Sequence, residues 1–203
     1  MRHLDKNWSF INEGELTPEG FTFAGVSAGL KDSKNKDLAL IVAPKGSICS
    51  AMFTQSIVRA SCIDICKERI NNSSGCIRAI LINSGQANAC TGDVGIHHSY
   101  IATAKIAELL GINEEEVLLC STGVIGVPLK INSLVNNLPK LVSELKFNNL
   151  DNAAEAILTT DLVAKRISIE TIIDGRKIKI AGIAKGSGMI YPNMATMLAF
   201  LTC

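Results

Sequence analysis

The stretch Lys185–Leu201 carries the residue types best suited to covalent chemistry, because it holds a threonine between a glycine-rich polar segment and an apolar run. Gly186 and Gly188 permit unusual backbone dihedrals and a close approach of the main chain. Pro192 restricts the backbone shortly before Thr196. A threonine hydroxyl at such a junction becomes a nucleophile when a neighbouring base or amine activates it. The alternative is a glycine-rich turn followed by a helix whose N-cap is Thr196.

The elements that must position this segment follow from the periodicity of apolar residues. Apolar runs bounded by turn formers predict buried strands at Leu38–Ala43, Ile77–Ile82 and Val117–Cys120. Alternating residues around Asp174-Gly175 predict a β-hairpin whose outgoing strand aims at Lys185. Helical spacing predicts helices at Ile101–Leu110, Ile131–Leu145 and Asp151–Leu158. This mixture indicates an α+β (α/β) fold, a layered sandwich.

Three of these elements lead directly into segments of small polar residues. The segments are Asn83–Gly92, Ser121–Gly126 and Thr159–Asp161. Proteins of mixed α and β structure place their sites at such junctions. Taken alone, however, Ser121-Thr122-Gly123 is also typical of an ordinary turn at the end of a strand.

Five segments together resemble the ornithine acetyltransferase family, the bifunctional glutamate N-acetyltransferases of arginine biosynthesis. In family order they are Gly20-Phe21 with Ala24-Gly25-Val26, Asn83–Gly92, Ser121–Gly126, Thr159–Asp161 and Lys185–Leu201. Members of that family are made as one precursor, which cuts itself before the threonine of an Ala-Thr-Met-Leu sequence. The resemblance implies a cut between Ala195 and Thr196, with Thr196 as the freed nucleophile. It also implies stacked β-sheets flanked by helices, with the nucleophile at their junction.

The resemblance assigns roles to further residues. Thr122, through its hydroxyl, and Gly123, through its backbone N–H, would form the oxyanion hole. Thr159, Lys185 and Thr196 would bind substrate, with the Lys185 ammonium suited to a carboxylate. Without the resemblance, Lys185 would be placed on the solvated surface, where most lysines lie.

The activity that the resemblance implies is transfer of acetyl from N-acetylornithine to glutamate through an acetyl-threonine intermediate. No cofactor is implied, although acetyl-coenzyme A is a possible acetyl donor. An alternative is an N-terminal-nucleophile amidohydrolase or aminopeptidase with a similar self-cleavage step.

The resemblance also divides the chain at the cleavage point. Residues 1–195 correspond to the α-chain region and residues 196–203 to the start of the β-chain region. Family members continue with a further segment that supplies polar residues of the substrate site. The implied partner is therefore this missing β-chain half, in a hetero-oligomer of α and β chains (a heterotetramer). A chain that only binds its missing half, without catalysis, is a further alternative.

Composition narrows the classes of function. The 203 residues are 47% hydrophobic and 19% charged, with a net charge of +1. A balanced charge gives no electrostatic case for a nucleic acid or an anionic membrane as partner.

Seven cysteines without a Cys-x-x-Cys pair suggest reduced thiols in a cytoplasmic protein. His97-His98 near Cys90 and Asp93 matches no recognised zinc spacing, so no metal is expected.

Overall fold

A computed structural model describes residues 7–12, 14–188 and 197–203. Within these ranges the chain forms eight β-strands and four α-helices. The strands are β1 (Ser9–Phe10), β2 (Thr22–Val26), β3 (Leu38–Val42), β4 (Ala79–Gln86), β5 (Val117–Val124), β6 (Lys165–Ile173), β7 (Arg176–Lys185) and β8 (Leu198–Thr202). The helices are α1 (Cys62–Asn72), α2 (Gly92–Leu110), α3 (Ile131–Ser143) and α4 (Leu150–Ala156).

The strands form two four-stranded sheets. One sheet has the order β2-β3-β4-β5, in which β4 and β5 are parallel and the other pairs are antiparallel. The other has the order β1-β6-β7-β8 and is antiparallel throughout. The α+β sandwich of stacked sheets flanked by helices is therefore confirmed.

Apolar side chains on both faces of β3 explain the layering. Leu38 and Leu40 pack into a core shared with α2 and α3, whereas Ala39 and Ile41 pack into a second core with α4 and the other sheet. Successive side chains of a strand point to opposite faces, so an uninterrupted apolar run requires cover on both sides. The layers are thus helices, sheet, α4 and sheet.

Helix α4 lies close against β2 because a glycine faces it. A Cβ on Gly25 would stand 2.0 Å from the backbone oxygen of Asn152. Ala153, Ala154 and Ala156 of α4 are fully buried in a cluster that also contains Ala181 and Ile183 of β7. Small residues therefore allow one short helix to fill the space between two sheets.

Several expectations about the elements are confirmed and others need correction. The strand at 38–43 and the hairpin around Asp174-Gly175 are present, and β7 ends at Lys185. The strands predicted at 77–82 and 117–120 extend further, because β4 and β5 continue into the polar segments that follow, as far as Gln86 and Val124. The element after Thr196 is the strand β8, so the helix that Thr196 would cap is wrong. No helix in the described part of the chain is long and apolar enough to cross a membrane.

Candidate active site

The polar ends of two parallel strands form one wall of the site. Ser84 on β4 pairs with Thr122 on β5, and Gly85 pairs with Gly123 one step further. Both glycines have positive φ angles, 129° and 137°. The hydrogen-bonded pairing of β4 with β5 holds the two glycines in a backbone conformation that residues with a Cβ rarely adopt. Thr122, only 2% exposed, is fixed beside Gly123.

Lys185 joins this wall to the loop after α4. Its side chain comes from the end of β7, where only 2% of the residue is exposed. The Nζ atom lies 3.0 Å from Thr122 Oγ1 and 2.6 Å from Thr159 Oγ1. The structure thus brings Thr122, Thr159 and Lys185 together and buries the lysine that composition alone would leave on the surface. Their roles in substrate binding and oxyanion stabilisation stay predictions.

The direction of these hydrogen bonds follows from the donors. A lysine ammonium has three N–H donors and no acceptor, whereas a hydroxyl has one donor and two acceptor lone pairs. Protonated Lys185 therefore donates to both threonine oxygens. Each hydroxyl keeps its own proton, which is available for a further acceptor such as a substrate oxygen.

Asp161 completes the charged part of the site, although no role is predicted for it from the sequence. Its Oδ1 atom accepts from the Gly186 backbone N–H at 2.8 Å and from Lys165 Nζ at 2.5 Å. Its Oδ2 atom is buried, has no hydrogen-bond partner among the described residues, and lies 3.9 Å from Lys185 Nζ. The only sequence signal was its place at the end of the Thr159-Thr160-Asp161 motif.

These contacts shift the pKa of Lys185 and the pKa of Asp161. Burial lowers the pKa of Lys185, and the positive charge of Lys165 adds to this, while the Asp161 carboxylate opposes both effects. Burial raises the pKa of Asp161, but hydrogen bonds from Lys165 and Gly186, with the charges of Lys165 and Lys185, outweigh it and leave that pKa below its usual value. Asp161 is therefore an anion at neutral pH.

The predicted cleavage site and the predicted nucleophile follow β7 in the sequence. Ala195 and Thr196 lie outside the described residues. The chain is described up to Gly188 and again from Met197, and Leu198 on β8 pairs with Lys185 on β7. Leu198, two residues after Thr196 in the sequence, therefore lies beside the lysine of the site.

The polar segment Asn83–Gly92 supplies hydrogen bonds that connect neighbouring elements. Asn83 Nδ2 donates to the Gln86 carbonyl at 2.9 Å, and Gln86 Nε2 donates to the Leu30 carbonyl at 2.7 Å. Ser84 Oγ donates to the Ala156 carbonyl at the end of α4, at 2.6 Å. These bonds tie β4 to the loop after β2 and to α4, and so fix the strand on which β5 rests.

The cysteines and histidines form no metal site in the part of the chain that the structure describes. No group of three His, Cys, Asp or Glu side chains there could hold a metal ion. All seven cysteines are free thiols. His97 and His98 instead lie within α2.

Comparisons with known proteins agree on one family. A model described as the ArgJ family matches residues 22–203. The chain is 72% identical over 193 residues to the arginine biosynthesis bifunctional protein ArgJ of Prochlorococcus marinus subsp. pastoris, covering 95% of this chain and 48% of that protein. It is 50% identical over 197 residues to ArgJ 1 of Nostoc sp., covering 97% of this chain and 48% of that protein. The chain thus spans about half the length of these curated relatives.

Two solved structures share the fold. The crystal structure of the arginine biosynthesis bifunctional protein from Bacillus halodurans matches with a TM-score of 0.86 at 37% identity, covering 93% of this chain and 98% of that one. The crystal structure of ornithine acetyltransferase complexed with ornithine, from Mycobacterium tuberculosis, matches with a TM-score of 0.83 at 34% identity. This second match covers 93% of this chain and 100% of that one.

Proposed function

The chain belongs to the ArgJ family, and on that premise we propose that the protein containing it transfers acetyl from N-acetylornithine to glutamate through Thr196. The observation that carries this proposal is the placement of Lys185 against the Thr122 and Thr159 hydroxyls. A buried ammonium with two oriented hydroxyls suits the developing negative charge of acyl transfer. The ladder that pairs Lys185 with Leu198 supports Thr196 as the reacting residue.

Self-cleavage prepares the nucleophile. The Thr196 hydroxyl attacks the Ala195 carbonyl carbon, the Ala195–Thr196 amide bond breaks, and an ester forms with a free Thr196 amine. Water then hydrolyses the ester, so that Ala195 ends in a carboxylate and Thr196 keeps both hydroxyl and amine. An α-amino group has a reference pKa of about 7.7–8.0, so it can act as the base for its own hydroxyl.

Acetyl transfer then takes two balanced steps. The Thr196 oxygen attacks the acetyl carbonyl of N-acetylornithine, the C–N amide bond breaks, and ornithine leaves with the hydroxyl proton. The glutamate amine next attacks the acetyl carbonyl carbon, a C–N bond forms, the C–O ester bond to Thr196 breaks, and the Thr196 oxygen takes the proton that the amine loses. Both steps pass through a tetrahedral oxyanion, for which Thr122 and Gly123 are the proposed donors.

The test is a product assay on the full-length protein, with the second half that its relatives carry. Incubation with N-acetylornithine and glutamate should yield N-acetylglutamate and ornithine in equal amounts. Release of acetate without N-acetylglutamate would instead identify an amidohydrolase. Replacing N-acetylornithine with acetyl-coenzyme A tests the second acetyl donor. The cytoplasm remains the proposed location.

We further propose that exposed apolar side chains beside the site bind this second half. Two short runs follow the residues that Lys185 brings together, and their exposed side chains are Val124, Ile125, Leu162 and Val163. Leu162 is 98% exposed. Contiguous exposed apolar surface marks interaction sites, and the relatives are about twice as long as this chain.

Association can be measured directly. The second half of the Prochlorococcus relative, supplied as a separate chain, should bind residues 1–203. Leu162→Ser should weaken that binding, whereas Ile57→Ser, which changes an equally exposed residue in the segment between β3 and α1, should not. Equal effects of the two substitutions would contradict this surface.

A further inference from the structure

We propose that Asp161 is a positioning residue that holds the Lys185 ammonium against Thr122 and Thr159, so that both hydroxyl protons face the substrate. The inference deepens the proposed function and rests on it for its catalytic consequence. Asp161 itself would touch neither substrate nor nucleophile. It would act through Lys185, whose two short hydrogen bonds reach the hydroxyls.

The carboxylate is fixed by groups other than Lys185. Gly186 N–H and Lys165 Nζ both donate hydrogen bonds to Asp161 Oδ1. Within the part of the chain that the structure describes, the Oδ2 atom of this fully buried side chain has no hydrogen-bond partner, and it lies 3.9 Å from Lys185 Nζ. Two anchors on one oxygen thus leave the other oxygen as a fixed negative charge beside the ammonium.

That charge offsets the cost of burying Lys185. Burial disfavours the charged form of a lysine, so a buried ammonium without a nearby negative charge gives up its proton. Asp161 supplies the one ion pair that Lys185 makes in the described part of the chain. Two further charged groups among the described residues interact with Lys185, namely Lys165 beside Asp161 and Lys31 in the loop after β2, and both are cations.

The proton on Lys185 decides where the Thr122 proton points. A neutral lysine amine has a lone pair, and it could accept a hydrogen bond from the threonine hydroxyl. The Thr122 proton would then turn toward Lys185 and away from the substrate oxygen. A protonated Lys185 can only donate, so it leaves the Thr122 proton free and polarises the hydroxyl as a stronger donor.

The experiment compares Asp161→Asn and Asp161→Glu in the full-length protein. In Asp161→Asn, the alkaline limb of the kcat profile should move down by about 1 pH unit, the lower end of the effect of a close opposite charge. Asp161→Glu should restore much of the shift. The matched control is Asp174→Asn, at the exposed turn of the β6–β7 hairpin, which should leave the profile unchanged.

A readout without catalysis separates this inference from the proposed function. Titration of the lysine side-chain 15N signals, with Lys185 assigned by its loss in Lys185→Arg, gives the protonation of Lys185 directly. Its midpoint should fall in Asp161→Asn and rise in Lys165→Gln, which removes a neighbouring cation. A role in folding alone would not move the midpoint in opposite directions.

Each result has one meaning. An unchanged Lys185 midpoint in Asp161→Asn overturns the positioning role, whether or not the protein transfers acetyl. Shifted midpoints in a protein that makes no N-acetylglutamate support the Asp161–Lys185 coupling and refute the proposed function. If Asp161→Asn fails to fold, the midpoint in Lys165→Gln decides, and a failure to rise counts against the coupling.

Discussion

Gly123 on β5 lies so close to Gly85 on β4 that a Cβ added to Gly123 would stand 2.3 Å from the Gly85 carbonyl carbon and 2.4 Å from its oxygen. Both residues have positive φ, and they are partners in the parallel ladder. The proposed oxyanion hole therefore begins where two backbones approach without side chains between them. The glycine at position 123 is required by its neighbours as well as by any substrate.

Gly123→Ala should destabilise the protein strongly. The unfavourable φ alone costs about 1–3 kcal/mol, and the overlap with Gly85 can be relieved only by separating two paired strands. Gly126→Ala is the matched control, since its φ is 79° but a Cβ there would enter open space. Its cost should be only about 1–2 kcal/mol. Urea unfolding measures both, and equal losses would contradict the steric argument.

Thr122→Ala should slow self-cleavage and acetyl transfer together, by roughly 10²–10³-fold, the usual effect of removing one oxyanion donor. Thr122→Ser retains the hydroxyl and should recover most of both rates. Intact-mass spectrometry follows cleavage, and formation of N-acetylglutamate follows transfer. A normal cleavage rate in Thr122→Ala would remove this residue from the oxyanion hole.

Thr159→Ala should affect substrate binding more than self-cleavage. The Thr159 hydroxyl accepts from Lys185 at 2.6 Å and keeps a proton for substrate. Its loss should raise KM for N-acetylornithine while the precursor is still cut at nearly the normal rate. A cleavage defect as large as that of Thr122→Ala would show that the two hydroxyls share one role.

Thr196→Ala should leave one uncut chain without transferase activity, because the attacking hydroxyl is gone. Thr196→Ser should cut slowly. In the full-length protein, mass spectrometry should find two chains, the second beginning at Thr196, and residues 1–203 alone would release the peptide Thr196–Cys203 if they are competent to cut. A full-length protein that transfers acetyl as a single chain would refute the mechanism.

Asp161 should make stability depend on pH on the acid side. Its folded pKa lies below the usual value of about 3.9. The carboxylate therefore contributes stability that is fully present above about pH 4 and is lost as pH falls through the lower, folded pKa. Asp161→Asn should lower the free energy of unfolding at pH 7, and the difference from wild type should shrink in acid. A difference that is independent of pH would point to packing rather than charge.

The sandwich could be predicted from the sequence because apolar periodicity records burial. Residues 38–42 alternate between two cores and so had to lie in a strand covered on both faces. The ends of β4 and β5 could not be predicted, since Asn83–Gln86 and Ser121–Val124 have the composition of turns. There the ladder between parallel strands outweighs local preference, as tertiary pairing commonly does.

The site was predictable only in part, for a similar reason. The family resemblance predicts that residues 122, 159 and 185 belong to the site. Their proximity depends on the long-range packing of β5, β7 and the end of α4. Asp161 cannot be predicted in this way, because its role depends on the three-dimensional arrangement in which Lys165 and Gly186 contact one carboxylate oxygen and Lys185 lies beside the other. Burial of Lys185 also runs against the usual exposure of lysine, which composition cannot reveal.

The pairing of β7 with β8 changes what a cut at Ala195–Thr196 would mean for refolding. Five residue pairs, from Ala181↔Thr202 to Lys185↔Leu198, would still hold the new amino-terminal strand in its sheet. In the uncut precursor, this strand finds its place within one molecule. After cleavage, the same strand belongs to a separate polypeptide, and the covalent link no longer supplies its effective concentration. Refolding of the mature protein would then be a second-order reaction, whose rate falls on dilution. Denatured chains would fail to reassociate in dilute solution, while the folded assembly would persist because its unfolding is slow.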